Sequence, residues 1–251
     1  LMAAEGAITP MPDCAIFADT KWEEPHTYKW LDELEKHLPF EVHRVSYGDL
    51  KQDTIDSIKN DKFVTLPFNQ MTVEGVKIKK GQGRRQCSRE YKVTPVTKKI
   101  RELMGLKPRQ RAKPHQKALL WLGISTDEII RMRPNREKYL ENVFPLIDNG
   151  MSRQNCIDWL SSKGLGMPKK SSCIVCPYHA DMDWRDMKIN RPDSFKSAIY
   201  IDDLLRDGKP VDNQSFIHQS LKPLKDIDFR SLEDLGQTNL FGNECEGMCG
   251  V

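Results

Sequence analysis

The stretch between residues 13 and 46 constrains the fold most. "DCAIFAD" (13–19) is a short apolar run closed by Asp19 and Thr20, and it reads as a buried strand. "EPHTYKWLDELEKHL" follows, with Leu31, Leu34 and Leu38 at helical spacing and Pro25 near its start. "FEVHRVS" (40–46) reads as the next strand. Strand, helix and strand at this spacing imply a right-handed crossover and a parallel sheet.

The remaining elements extend that pattern. "DKFVTLPF" (61–68) reads as another strand or an extended segment, and "GVKIKKGQGRRQCSREYK" (75–92) as a basic, Gly-punctuated loop leading into a helix, "TPVTKKIRELMG". "RQRAKPHQ" is a second basic linker, and "KALLWLGIS" (117–125), the most apolar run, reads as a central strand. "TDEIIRM" reads as a short helix with Thr126 as its N-cap. "VFPLIDNGMSRQNCIDWLSSKG" predicts an extended piece, a turn at Asn149–Gly150, and a helix capped by Ser152 that buries Cys156, Trp159 and Leu160. "NRPDSFKSAIYIDDLLRDG" predicts a helix with Pro192 in its first turn, Phe195, Ile199 and either Asp202 or Asp203 on one face, and Gly208 as its stop. The expected class is α/β, an open parallel sheet with flanking helices over residues 1–208. A polar, irregular segment (209–251) then ends in a Cys-x3-Cys tail. "LMAAEGAI" reads as the second half of an apolar helix with a Gly stop, so the chain is expected to start inside an element.

The chain has 251 residues, 38% hydrophobic, enough for a sizeable core. A formal charge of +3 is mild and does not by itself argue for nucleic acid. No apolar run approaches the roughly 20 residues that span a bilayer, and no basic flank precedes an apolar core as in a signal peptide. A cytoplasmic location with no membrane partner is the expectation. Seven cysteines, an odd number in a chain this large, read as metal-binding, catalytic or buried thiols before they read as disulfides.

Four constellations carry chemistry. Cys173-x2-Cys176 in "SSCIVCPYHADMDW" sets two sulfurs on one tight turn, which suits a tetrahedral metal or an iron–sulfur cluster. His179 adds a nitrogen, and Cys87, Cys245 and Cys249 are the distant thiols able to complete a site. The plainer alternative is a pair of buried thiols. Cys87 itself lies among Arg84, Arg85, Arg89 and Lys92, cations that favour a thiolate or clamp phosphates; the plainer alternative is a solvated basic loop. "NECEGMCG" offers Cys245 and Cys249 on a terminus, where incidental thiols are common. "LGISTDEIIRMR" places Gly123, Asp127 and Arg131 just after a strand, where open α/β sheets bind ligands, or else it is a capped helix with solvated charges.

In this order the segments resemble the phosphoadenylyl-sulfate (PAPS) reductase family of the adenine nucleotide α-hydrolase (PP-loop) superfamily. "IFADTKWEEPHTYKWLDELE" is similar to its second strand, Asp-Thr step and following helix. "QCSREYKVTP" is similar to its Cys-x4-Lys-Val-x-Pro segment, and "LGISTDEIIRMR" to its Gly-Ile-x2-Asp-Glu-x2-Arg segment. "VFPLIDNGMSRQNCIDWLSSKGL" resembles the segment before its Cys-x2-Cys, and "NECEGMCG" the Glu-Cys-Gly end that carries the catalytic thiol. The resemblance implies a parallel sheet binding an adenine nucleotide at its carboxyl edge, with a [4Fe–4S] cluster (or zinc) on Cys87, Cys173, Cys176 and a tail thiol, Cys245 or Cys249. The family has an adjacent Cys-Cys pair where this chain has Gln86-Cys87, so one ligand must come from elsewhere. The family's Ser-Gly-Gly-x-Asp-Ser phosphate loop has no counterpart here, and the chain is expected to be N-terminally truncated and to bind nucleotide poorly as it stands.

Three functions follow as expectations. In the first, a tail thiolate at Cys245 attacks a sulfonucleotide held by Arg84, Arg85 and Lys92. Cys249 or a thioredoxin-like donor then releases sulfite. In the second, ATP activates a tRNA or DNA for thiolation, and the basic stretches 77–92 and 107–117 hold the nucleic acid. In the third, the chain is a non-catalytic iron–sulfur or zinc interaction module.

Overall fold

β1 (Ala15–Ala18), α1 (Pro25–Lys36) and β2 (Val42–Val45) form the predicted crossover in a computed structural model that describes residues 1–210 and 213–229. β1 and β2 run parallel, with Ala15 opposite Val42 and Ala18 opposite Val45. Pro25 opens α1, where its missing N–H costs nothing, and Leu31 is buried. α2 (Leu50–Lys59) follows, N-capped by Asp49, whose carboxylate accepts from the backbone N–H groups of Lys51 and Gln52.

Among the described residues the segment 61–68 joins no sheet: it opens at Asp61 with a left-handed φ of 52° and bends at 65–66, and the strand lies just beyond it. β3 (Asn69–Glu74) and β4 (Lys77–Gln82) form an antiparallel hairpin, so the first third of the basic stretch read as a loop is an edge strand. Met71 and Val73 alternate with Gln70, Thr72 and Glu74, a period-2 signal masked by the Lys and Gly that follow. Gly83 then passes so close to the 66–68 backbone that an added Cβ would stand 3.3 Å from the Leu66 carbonyl oxygen. A wide π-helical turn (Ser88–Val93) leads directly into α3 (Thr94–Leu103).

β5 (Ala118–Trp121) and β6 (Leu140–Val143) form a second parallel pair. A 3-10 helix (Thr126–Arg131) lies between them; Ser125, in extended geometry, occupies its N-cap position rather than Thr126. α4 (Pro145–Asp148) turns at Gly150, whose φ of 65° suits glycine, into α5 (Arg153–Ser162). Ser152 caps α5 as predicted and forms a capping box with Asn155. The expected burial of Cys156, Trp159 and Leu160 is only partial, because α5 buries no residue fully and Lys163 covers the Trp159 ring at 5.3 Å.

α6 (Asp181–Asn190) and α7 (Pro192–Leu204) pack on each other after the thiol knuckle. β7 (Asn213–Phe216) returns to pair antiparallel with β3. The described residues are therefore mixed α/β, with two small parallel pairs and one three-stranded antiparallel sheet, β4-β3-β7, rather than one continuous parallel sheet. The parallel strands are four residues long and hydrogen-bond only within their own pairs. Trp22, Leu50, Phe68, Tyr91, Val175, Trp184, Met187, Ile201, Ile217 and Leu224 share one core, so residues after 213 pack with those of the first strand's loop. Among the described residues no helix is long and apolar enough to cross a membrane.

Candidate thiol site at the end of the first strand

The loop leaving β1 and the Cys-x2-Cys knuckle are stitched together through their backbones. Glu23 and Cys173 form an antiparallel bridge, and the Ile174 N–H donates to the Trp22 carbonyl at 3.0 Å. Val175, between the two cysteines, is fully buried and plugs the knuckle into the core. Lys21 takes a left-handed φ of 59°, and its N–H donates to Asp19 at 2.7 Å, which turns the chain sharply after the strand. Glu24, also buried, accepts from Ser194 at 3.0 Å and pairs with Arg191 at 3.3 Å, fixing this loop to the junction of α6 and α7.

Cys87 comes to the knuckle from the other side. Its N–H donates to the Thr65 carbonyl at 3.1 Å, and it caps the wide turn that holds Lys92. On an ordinary α-helix a residue five positions on would point about 140° away. The wider i→i+5 turn swings position 92 back toward position 87.

These segments enclose a small polar centre. Cys173 Sγ lies 3.4 Å from Thr20 Oγ1 and 3.7 Å from Glu23 Oε1. Thr20 Oγ1 donates to the same Glu23 oxygen at 3.2 Å, and Lys92 Nζ approaches it at 3.6 Å. Glu23 Oε2 is buried with no hydrogen-bond partner among the described residues. Burial opposes the charge on Lys92, but Glu23 and then the sulfurs of Cys173, Cys176 and Cys87 outweigh it and hold the ammonium above its usual range. Burial pushes the Cys173 thiol well up, and Glu23 adds to this against the pull of Lys92. The structure also corrects the expectation that cations favour a Cys87 thiolate. Burial raises that thiol too, and Arg85, Ser88 and Lys92 only partly offset it.

His179 is not turned toward the thiols. Its Nε2–H donates to the Cys173 carbonyl at 3.0 Å, and its Nδ1 faces Asp183 at 3.7 Å. Burial raises the pKa of Asp183, but His179 and Lys170 outweigh this and hold its carboxyl below the usual range. His179 thus braces the knuckle from behind.

No family model matches this chain, and no curated protein or solved structure is similar to it.

Of the predicted site residues, Thr20, Cys87, Lys92, Cys173 and Cys176 come together here. Asp19 stands at the same strand end but is engaged by Lys21 and by the Tyr28 hydroxyl at 2.8 Å. Arg85 stacks 5.3 Å over the ring of Tyr178 on the knuckle, while Arg84 and Arg89 are exposed nearby in sequence. Gly123, Asp127 and Arg131 follow the other parallel pair. There Asp127 accepts from the Arg153 N–H at 2.5 Å and Arg131 pairs with Glu128. Cys245 and Cys249 lie outside the described residues. Glu23 was missed by the sequence reading; its only signal is the "WEE" step, two acids placed where a buried strand must turn. Tyr178 was missed as well.

The thiols supply the right donor chemistry for a metal. Cys173 Sγ lies beside the Thr20 hydroxyl and the Glu23 carboxylate, which the Lys92 ammonium approaches. Among the described residues no three His, Cys, Asp or Glu side chains form a group that could hold a metal ion.

Proposed function

We propose that this chain belongs to a PAPS-reductase-like enzyme of the adenine nucleotide α-hydrolase fold, working in a reducing, cytoplasmic compartment, that converts a sulfonucleotide to sulfite. The observation that carries the reading is the Cys-x2-Cys knuckle bridged to the loop that leaves β1, with Cys173 Sγ beside Thr20 and Glu23 and Lys92 reaching the same carboxylate. A buried thiol raised in pKa, as Cys173 is, makes a poor free nucleophile at neutral pH, so the attacking thiol is assigned to the tail.

Cys87, Cys173 and Cys176 would hold a [4Fe–4S] cluster, with one tail thiol as the fourth ligand; zinc is the alternative for the same donors. When bound, the cluster supplies a thiolate-held centre that ties the wide turn, the knuckle and the tail together. Lys92 would balance its charge, and the Thr20 hydroxyl, which donates to Glu23, lies 3.4 Å from the Cys173 sulfur. Lys92, Arg84, Arg85 and Arg89 hold the nucleotide's phosphates. The remaining tail thiolate attacks the sulfonate sulfur. A sulfur–sulfur bond forms, the bond to the phosphate oxygen breaks, and the nucleotide leaves with that electron pair. A thioredoxin-like dithiol then supplies two electrons: its thiolate attacks the tail sulfur, sulfite departs, and the resulting mixed disulfide resolves. The full-length protein should release sulfite from adenylyl sulfate or its 3′-phosphorylated form with reduced thioredoxin. No turnover of either nucleotide would sink the reading.

A further inference from the structure

The charge of this chain is unevenly spread. Residues 75–92 carry seven Lys and Arg against one acid, and 107–117 carry five against none. With the chain at +3 overall, these stretches at +6 and +5 leave −8 for the rest. The structure gives the first stretch a definite shape. β4 is the outer strand of its sheet, and all six of its residues are exposed. Among the described residues β7 pairs with β3 from Asn69 to Thr72, and β4 pairs with β3 on to Glu74. β3 and β4 thus form a six-residue antiparallel ribbon, about 20 Å long at roughly 3.3 Å per residue, closed by a turn at Gly75 and Val76.

Cations occupy both faces of the ribbon. Lys79 and Lys77 lie opposite Thr72 and Glu74 on one face, and Lys80 lies opposite Met71 on the other. The pair between Lys79 and Glu74 is solvent-exposed and restrains the lysine little. Lys77 and Lys80 have no ion-pair or hydrogen-bond partner among the described residues. At the tip, among the described residues, Val76 is wholly exposed and Ile78 is 61% exposed. The basic line continues from the ribbon's base into Arg84, Arg85 and Arg89, and the Tyr178 hydroxyl donates to Gln82 at 3.2 Å.

We propose that this ribbon is a DNA-binding element that enters the major groove of a duplex. The groove of B-DNA, about 12 Å wide and 8.5 Å deep, admits a two-stranded ribbon. Cations on both faces then meet the two phosphate backbones, and the apolar tip meets thymine methyl groups on the groove floor. Lysines on an edge strand also deter strand pairing between copies. That task, however, calls neither for an exposed apolar tip nor for three arginines beyond the strand.

Arg84, Arg85 and Arg89 serve both readings, but Lys77 and Lys80 have no part in the thiol site, so a failed sulfite assay and a failed DNA titration are separate results. The test is fluorescence anisotropy of the full chain with labelled duplex DNA, duplex RNA and single strands over a range of salt. Duplex DNA should bind best, because the A-form major groove is closed to side chains. The Lys77→Gln/Lys80→Gln protein should bind more weakly, with its log–log salt slope reduced by about 2. Absence of duplex binding at low salt, an unchanged slope in the double variant, or equal affinity for duplex RNA or single strands would each overturn the proposal.

Discussion

Replacing Asp202 by alanine should destabilise the protein by roughly 3–5 kcal/mol, much of the margin that holds a domain folded. Asp202 lies on α7 and is almost wholly buried. Its Oδ1 accepts from the Ile217 N–H at 2.9 Å, its Oδ2 from the Leu224 N–H at 2.7 Å, and Arg206 pairs with it at 2.9 Å. One carboxylate therefore satisfies two buried backbone donors on the returning chain and one largely buried guanidinium. Alanine removes all three partnerships at once and leaves the donors dry. Asparagine keeps the shape but turns an N–H₂ toward one donor, so Asp202→Asn should fall between wild type and alanine. Urea unfolding measures this; a midpoint for Asp202→Ala close to wild type would show that the return of residues 213–229 is held some other way.

The largest functional effect is expected at Lys92. In the proposed reaction its ammonium faces Glu23 and the departing phosphate. Removing a preorganised charge from a developing anion costs about 10²–10³ in rate. Lys92→Met, which keeps much of the apolar stem, should lower sulfite formation by that factor. The loss should fall mainly on kcat, because the interaction grows as the phosphate takes the electron pair. Lys92→Arg should recover part of it. A rate within a few-fold of wild type for Lys92→Met would remove this residue from the chemistry.

What the sequence disclosed follows the range of the forces involved. The β1–α1–β2 crossover, the Ser152-capped helix and α7 were legible because local pattern and caps specify them. α6 was not, since its two fully buried residues, Trp184 and Met187, sit among exposed Met182 and Ile189, which blurs the helical period. The hairpin of β3 and β4 hid behind its lysines. The site itself was half legible: the knuckle and the basic Cys87 loop stood out, and the family resemblance joined them. The carboxylate of Glu23 did not stand out, because nothing local marks a residue whose partners lie 69 and 150 positions away. The rise in the Cys87 thiol's pKa was hidden for the same reason, since burial by distant segments outweighs the neighbouring cations.

The most direct test of the account is the metal content of protein purified without oxygen. The proposal expects about four iron and four sulfide per chain, with both lost when Cys87, Cys173 or Cys176 is replaced by alanine. Stoichiometric zinc with no iron, or full iron retained without Cys87, would contradict it.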